Sequence, residues 1–70
     1  MKKVTNKEIN LALKWFWSRD IATNVSKASE LKKTYDGKIR IFVKGYQIEI
    51  SDLELKCRAK EYEEIMKQEI

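Results

Sequence analysis

The side chains that most often perform catalysis or bind metals are scarce in this chain. Histidine is absent, Cys57 is the single cysteine, and two glycines occur in 70 residues. General acid–base catalysis usually needs a histidine or a carboxylate whose environment shifts its pKa, and most acids here fall on the predicted solvent-facing side of a helix. Two glycines cannot form a phosphate-binding GxGxxG or Walker loop, and no GxSxG motif occurs. We therefore expect a protein that binds a partner without catalysis, cofactor or metal.

The chemistry that the sequence does offer is charge, and this charge is unevenly distributed. Residues 1–44 hold eleven basic and four acidic side chains, or +7, whereas residues 45–70 hold four basic and seven acidic ones, or −3. A basic front with an acidic back is a dipole whose positive end attracts polyanions. The alternative is that a charged content of 37% only keeps a small protein soluble, which explains the amount of charge but not its separation.

The length and composition predict a single soluble domain over residues 1–70. A chain of this size buries only about 60% of the surface that its unfolded form exposes, so a second core is out of reach. The basic start is not followed by the apolar stretch of a signal peptide, and no run of ~20 apolar residues occurs that would cross a membrane. The single thiol of Cys57 fits a reducing cytoplasm, where we expect it to be buried as a small apolar side chain.

An antiparallel hairpin over residues 39–50 is the clearest predicted element. Apolar and polar residues alternate on both sides of Lys44-Gly45, which suits a two-residue turn. Folding about that turn puts six apolar side chains on one face in three cross-strand pairs. The predicted pairs are Val43 with Tyr46, Ile41 with Ile48, and Ile39 with Ile50.

The C-terminal helix is predicted from a capping box. Ser51-Asp52-Leu53-Glu54 supplies side-chain oxygens for the amides of a first helical turn, so a helix is expected to begin there and to fray near Gln68. Apolar residues then recur at helical spacing. The predicted buried stripe comprises Leu55, Ala59, Tyr62 and Met66, flanked by Ile65.

Residues 5–17 fit two patterns. Apolar residues alternate as in a strand, and they also form a helical stripe. A second capping box, Thr5-Asn6-Lys7-Glu8, stands just before the apolar run and favours a helix. The helical stripe comprises Ile9, Ala12, Leu13 and Phe16. We expect Trp15 and Trp17 to belong to the core rather than to a binding surface.

A further helix is predicted over residues 20–36, ended by Asp36-Gly37. Its apolar face comprises Ile21, Val25, Ala28, Leu31 and Tyr35. The order helix, helix, two-stranded hairpin, helix predicts an α+β domain of the winged-helix type. In such domains the second helix enters the major groove of DNA and the hairpin is the wing.

Hydroxyl and basic side chains on the second helix and the hairpin suit contacts with base edges and phosphates. Gln47 is expected across from Arg40 or near it. The alternative for the hairpin is that its charges only prevent strand pairing at the edge of a sheet. The candidate DNA-binding residues are Arg19, Thr23, Ser26, Lys27, Lys33, Lys38, Arg40, Lys44 and Gln47.

The sequence also resembles a family. The segment from Ile41 to Leu55, IFVKGYQIEISDLEL, resembles the wing and following helix of small excisionase proteins from phages and conjugative transposons. The segment from Glu8 to Phe16, EINLALKWF, is similar to the first helix of that family. Val25-Ser26-Lys27, leading to Asp36-Gly37-Lys38-Ile39, resembles its recognition helix. The segment from Trp17 to Asn24 departs from the family pattern, because it is longer than the family's tight turn and lacks its glycine.

This resemblance implies a protein that bends or coats double-stranded DNA near a recombination site and recruits an integrase without performing chemistry. It implies that Lys27 and Lys33 act from the helix in the groove. The wing would contribute Arg40, Lys44 and Gln47. The acidic last helix would face a protein, such as the integrase, rather than DNA.

Two other readings of the sequence lead to protein partners. Ser18 to Thr23, followed by a helix and the hairpin, is similar to the histidine-containing phosphocarrier fold, with Ser18 where the phosphorylated histidine stands. That resemblance implies a strand over residues 5–13 and a non-phosphorylatable relative acting through protein contacts. The other alternative is a small cytoplasmic inhibitor or adaptor that docks through its acidic helix or its tryptophan-rich segment.

Overall fold

The computed structural model describes residues 4–33 and 38–68, apart from the side chains of residues 32 and 33. The elements in chain order are α1 (Asn6–Ser18), β1 (Ala22–Thr23), α2 (Ala28–Lys33), β2 (Arg40–Val43), β3 (Tyr46–Glu49) and α3 (Asp52–Gln68). The strands form one antiparallel sheet in the order β1-β2-β3. The chain is therefore α+β, as expected. The sheet contains the two strands of the predicted hairpin and one further strand, β1, which was not predicted.

The helix α1 begins at a complete capping box. The Thr5 hydroxyl accepts a hydrogen bond from the Glu8 backbone N–H at 3.1 Å, and the Glu8 carboxylate accepts one from the Thr5 N–H at 2.9 Å. These two bonds satisfy amides that a helix start otherwise leaves without partners. The helical prediction for residues 5–17 is confirmed, and the strand over residues 5–13 that the phosphocarrier resemblance implies is wrong.

The core lies where the apolar face of α1 meets α3 and the segments around α2 and β2. The buried residues that form it are Ile9, Ala12, Leu13, Val25, Ala28, Ile39, Leu55 and Ala59. The helix α3 packs mainly against α1. It begins after Ser51, whose hydroxyl accepts a hydrogen bond from the Glu54 N–H at 3.2 Å. The predicted start and the first half of the α3 stripe are therefore confirmed.

Two expectations about α3 are wrong. Met66 was predicted to be buried and is exposed, because α3 continues past the end of its contact with the core. Cys57 is also exposed rather than buried. Its position in the helix lies two residues from both Leu55 and Ala59, about 200° away from each around the helix axis, so it faces solvent when they face the core.

The β2–β3 hairpin has the predicted register. Ile41 is paired with Ile48 and Val43 with Tyr46, and the Ile50 N–H donates to the Ile39 carbonyl at 3.0 Å. Its turn has positive φ at both residues, 49° at Lys44 and 85° at Gly45, which matches the right-handed twist of the strands.

Burial of the hairpin, by contrast, differs from the expectation. Ile39 at its base is buried, whereas Ile48 is 53% exposed and Tyr46 is 72% exposed. The six apolar side chains share a face as predicted, but the helices cover that face only near the base. The far end of the hairpin extends beyond the core.

The helix predicted over residues 20–36 is wrong before Ala28. Asp20 has a φ of 60°, a left-handed conformation that short polar side chains tolerate, and it turns the chain away from α1. Ala22 and Thr23 then pair with Phe42 and Ile41 as the strand β1. Val25 and Ala28 are nevertheless buried as predicted. The predicted end of this helix, at Tyr35 and Asp36-Gly37, lies outside the described residues.

The side chain of Asn24 joins the segment before α2 to the base of the hairpin. Its Oδ1 accepts from the Arg40 N–H at 2.9 Å and its Nδ2 donates to the Lys38 carbonyl at 3.2 Å. The Asn24 backbone N–H donates to the Arg40 carbonyl at 3.1 Å. This backbone bond continues the pairing of β1 with β2 by one more residue, and the side chain adds two bonds to it. We call this set of three bonds the Asn24 clamp.

Removing the two side-chain bonds of the clamp should weaken the whole fold. Asn24→Ala deletes two hydrogen bonds and leaves a half-buried Arg40 amide without that acceptor, so we expect the free energy of unfolding to fall by about 2 kcal/mol. Urea denaturation followed by circular dichroism measures this. The control is Asn6→Ala, which truncates an exposed amide of α1 and should change stability by about 0.5 kcal/mol or less. Equal effects of the two substitutions would contradict a structural role for the clamp.

Candidate nucleic-acid interface

The Asn24 clamp gathers several of the predicted DNA-contacting residues. Lys38 and Arg40 are the residues whose backbone groups bind Asn24, and Lys27 follows Asn24 by three residues. Three residues of chain span at most about 11 Å, so Lys27 lies close to the base of the hairpin. Lys27 and Lys38 are exposed, and Arg40 is half-buried. The backbone of the segment that leads to Lys27 and the backbone of the hairpin base are therefore joined through one asparagine.

The start of α2 is organised by Ser26 and Glu30. The Ser26 hydroxyl donates to Glu30 Oε1 at 2.6 Å, and the Ser26 N–H donates to the same oxygen at 3.3 Å. These bonds, the hydroxyl bond first, lower the pKa of Glu30 below its ordinary value of 4.5, and the nearby charge of Lys27 lowers it further. The Ser26 proton is thus committed to Glu30. In this geometry the bonds from Ser26 to Glu30 fix the chain beside Lys27.

The polar face of the hairpin carries mixed charge. Arg40 is paired across the strands with Glu49, and Lys38 Nζ lies 4.0 Å from Glu49 Oε1. Gln47 lies near Arg40 rather than opposite it, because its partner in the register is Phe42. One carboxylate therefore sits among the cations at the base of the hairpin, which reduces the positive potential there.

The turn of the hairpin presents a cation away from this carboxylate. Lys44 is exposed at the first turn position, and Glu49 lies at the other end of β3. Gly45 follows it with a φ of 85°, a conformation that residues with a Cβ rarely adopt. The turn geometry therefore places Lys44 at the tip of the hairpin, with its side chain exposed.

Arg19, another of the predicted DNA-binding residues, lies beside an aromatic ring. It is the C-cap residue that follows α1, and its guanidinium carbon lies 4.6 Å from the centroid of the Trp15 ring. Arg58 of α3 lies 4.5 Å from the same centroid and is held by ion pairs with Glu54 and Glu61. Cation–π attraction to a buried indole thus accounts for the position of Arg19.

The hydroxyl of Thr23 forms two hydrogen bonds within the fold. It accepts from Trp17 Nε1 at 2.9 Å and donates to the Val25 carbonyl. The hydroxyl therefore both donates and accepts a hydrogen bond within the fold.

Trp17 itself is 48% exposed, so the prediction that it belongs to the core is wrong, whereas Trp15 is buried as expected. Lys33 ends α2, and its side chain lies outside the described residues.

Sequence reasoning missed a polar groove of about 440 Å³ between α1 and the start of α2. The residues that line this α1–α2 groove are Asn6, Asn10, Lys14, Ser26, Lys27, Ala28 and Ser29. Asn10 Oδ1 accepts from the Ala28 N–H at 2.8 Å and joins the two walls. The spacing of Asn6, Asn10 and Lys14 by four residues shows that they share a helix face. No local signal shows which segment faces them.

A second groove is largely apolar. It has a volume of about 460 Å³ and lies between the hairpin and the ends of α1 and α3, with Trp15, Phe16, Ile41 and Ile48 among its lining residues.

Among the residues that the structure describes, no group of three or more acidic or cysteine side chains is placed to hold a metal ion. In the same ranges, none of the helices has the length and apolar content to cross a membrane.

The hydrogen bonds of Glu30 should be visible in its titration. Because the pKa of Glu30 is lower in the folded chain than its ordinary value of 4.5, this carboxylate stabilises the fold above that pH, and the contribution is lost as the pH falls through the folded pKa. We expect Ser26→Ala to raise the folded pKa towards 4.5 and to reduce that loss. Side-chain carbon chemical shifts measured against pH test this.

The titration has an internal control in Glu8. Its pKa is also lowered, chiefly by the Thr5 N–H of the capping box, and Ser26→Ala should leave it unchanged. A Glu30 midpoint that does not move in the Ser26→Ala protein would show that Ser26 is not the cause of the shift.

The comparisons with known proteins give no relative for this chain. No protein-family model, curated protein or solved structure matches it. The basis for a functional proposal is therefore the arrangement of cations, amides and carboxylates described above.

Proposed function

We propose that this protein binds double-stranded DNA without catalysing a reaction, as an architectural or sequence-specific protein of the excisionase type. In this proposal the fold acts as a winged helix, with the start of α2 in the major groove and the β2–β3 hairpin as the wing. The observation that carries it is the Asn24 clamp, which holds the segment containing Lys27 against the hairpin residues Lys38 and Arg40. Two segments that bear cations are thereby joined by three hydrogen bonds.

The charges around the clamp suit a phosphate backbone. Duplex DNA carries one negative charge per about 1.7 Å of its axis, so a small surface with several cations meets several phosphates. Lys27, Lys38, Arg40 and Lys44 supply positive charge, and Glu30 and Glu49 lie among them. Carboxylates within a basic surface repel phosphates that approach out of register. This favours one placement of the protein on DNA over many.

The exposed side of α3 is proposed to contact a protein instead. Glu61, Glu63 and Glu64 are exposed on this helix, and they would repel phosphates. A basic surface on a recombinase or integrase is the kind of partner that such a helix fits. The protein would then act in the cytoplasm of a host cell, as part of a phage or mobile element, during DNA recombination.

The DNA proposal predicts specific salt effects. We expect Lys27→Gln and Lys44→Gln each to weaken duplex binding and to reduce the slope of log affinity against log salt by about one, because each removes one phosphate contact. Fluorescence anisotropy of a labelled duplex at several salt concentrations measures both. Lys60→Gln, which removes the same charge from an exposed position on α3, should leave the slope unchanged.

Two results of this experiment would count against the proposal. A wild-type chain whose binding to duplex is absent or insensitive to salt would rule out the function itself. If the slope of log affinity against log salt is the same for wild type, Lys27→Gln and Lys44→Gln, then the start of α2 and the wing do not contact the DNA phosphates.

One observation favours a second function as a small protein-interaction or inhibitor module. The edge strand β3 is exposed along its whole length, and its apolar residues Tyr46 and Ile48 belong to a face that the helices leave open. Another protein's strand could add to such an edge. This alternative predicts no salt-dependent binding to the duplex, so the same titration separates the two functions.

A further inference from the structure

The α1–α2 groove contains hydrogen-bond donors and positive charge from two separate elements. Asn6, Asn10 and Lys14 come from α1, Lys27 comes from the segment that leads into α2, and Ser29 lies in the first turn of α2. No acidic side chain lines it within the part of the chain that the structure describes. Lys14 and Lys27 bring two positive charges to the groove, and the Glu30 carboxylate, which is bonded to Ser26 at its edge, offsets part of that charge. The remaining positive charge attracts an anion. The chemistry of the groove therefore selects an anion.

The walls of the groove are fixed by Asn10. Its Oδ1 accepts from the Ala28 N–H at 2.8 Å, a bond between residues 18 positions apart in the chain. With Oδ1 engaged, Asn10 still has two amide N–H donors on Nδ2, at the lining of the groove. An ammonium group, an amide and a hydroxyl are the donors that proteins use to hold phosphate oxygens on DNA.

The size of the groove also fits a phosphodiester. About 440 Å³ is many times the ~30 Å³ that one water molecule occupies in the liquid, so a phosphate with parts of its two sugars can enter. The groove is open on one side and continuous with Lys27, which the proposed function already places against DNA. A backbone phosphate next to the α2 contact would reach it without any change in the fold.

We propose that the α1–α2 groove holds a phosphate of the DNA backbone, with Lys14 and Lys27 supplying the charge and Asn10 an amide donor. This inference rests on the proposed function and adds to it a contact from α1, a helix to which that proposal gives no role on DNA. Lys14 anchors the first helix to the strand of phosphates that flanks the major groove. The contact fixes how the domain is oriented on the duplex.

The test of the charge is Lys14→Gln with Lys7→Gln as its matched control. Both residues are exposed lysines on the same side of α1, two turns apart, but Lys7 does not line the groove. We expect Lys14→Gln to weaken duplex binding about tenfold at 0.1 M salt and to lower the salt slope by about one. Lys7→Gln should produce a clearly smaller change in both quantities.

The test of the amide is Asn10→Asp. The aspartate keeps an oxygen to accept from the Ala28 N–H, so the midpoint of urea unfolding should stay near that of the wild type. It places a negative charge in the groove, and we expect duplex binding to weaken at least as much as in Lys14→Gln. An unchanged unfolding midpoint with unchanged duplex affinity would overturn the role of the groove.

The outcomes separate this inference from the function on which it rests. Salt-dependent binding by wild type, with Lys14→Gln no weaker than Lys7→Gln, would overturn the groove contact and leave DNA binding intact. Absence of duplex binding by wild type would overturn both proposals. Selective loss in Lys14→Gln and Asn10→Asp would support both.

Discussion

The apolar face of α1 has to be covered, and this requirement organises the rest of the chain. Ala12 and Leu13 are completely buried, and the helix α3 reaches them with Leu55 and the small Ala59. Burying a side chain the size of leucine contributes roughly 1.5–3 kcal/mol, in a class of proteins whose net stability is only about 5–15 kcal/mol. The polar surfaces of the molecule are positioned by what lies under them. The α1–α2 groove, for example, borders the place where Val25 and Ala28 enter the core.

Elements that depend on local signals could be predicted from the sequence. A capping box at Thr5 and a two-residue turn at Lys44 specify a helix start and a hairpin register within a few residues of themselves. The strand β1 could not be predicted in this way. It has only two residues, and it forms because those residues pair with the edge of β2. The partners of Asn24 lie 14 and 16 residues away. Spacing of apolar residues alone made that segment look helical.

The candidate site was predictable in its residue types but not in their partners. The sequence shows where cations occur, and the hairpin register already implies that Glu49 faces Arg40. It does not show that the guanidinium group of Arg19 lies over the Trp15 ring, or that the Trp17 indole N–H donates a hydrogen bond to the hydroxyl of Thr23. Both arrangements depend on how the end of α1 meets β1. The groove next to Lys14 was missed for the same reason, because its second wall is a segment without a strong local pattern.

The exposure of Cys57 has a practical consequence for how the molecule behaves in solution. It is the single thiol of the chain, and it lies on α3, which contributes no residue to the α1–α2 groove. A maleimide dye or spin label will therefore attach at one defined position without altering any lysine or arginine. In air the same thiol allows two molecules to be joined by an interchain disulfide, so the apparent molecular mass of a purified sample will depend on the reductant in its buffer.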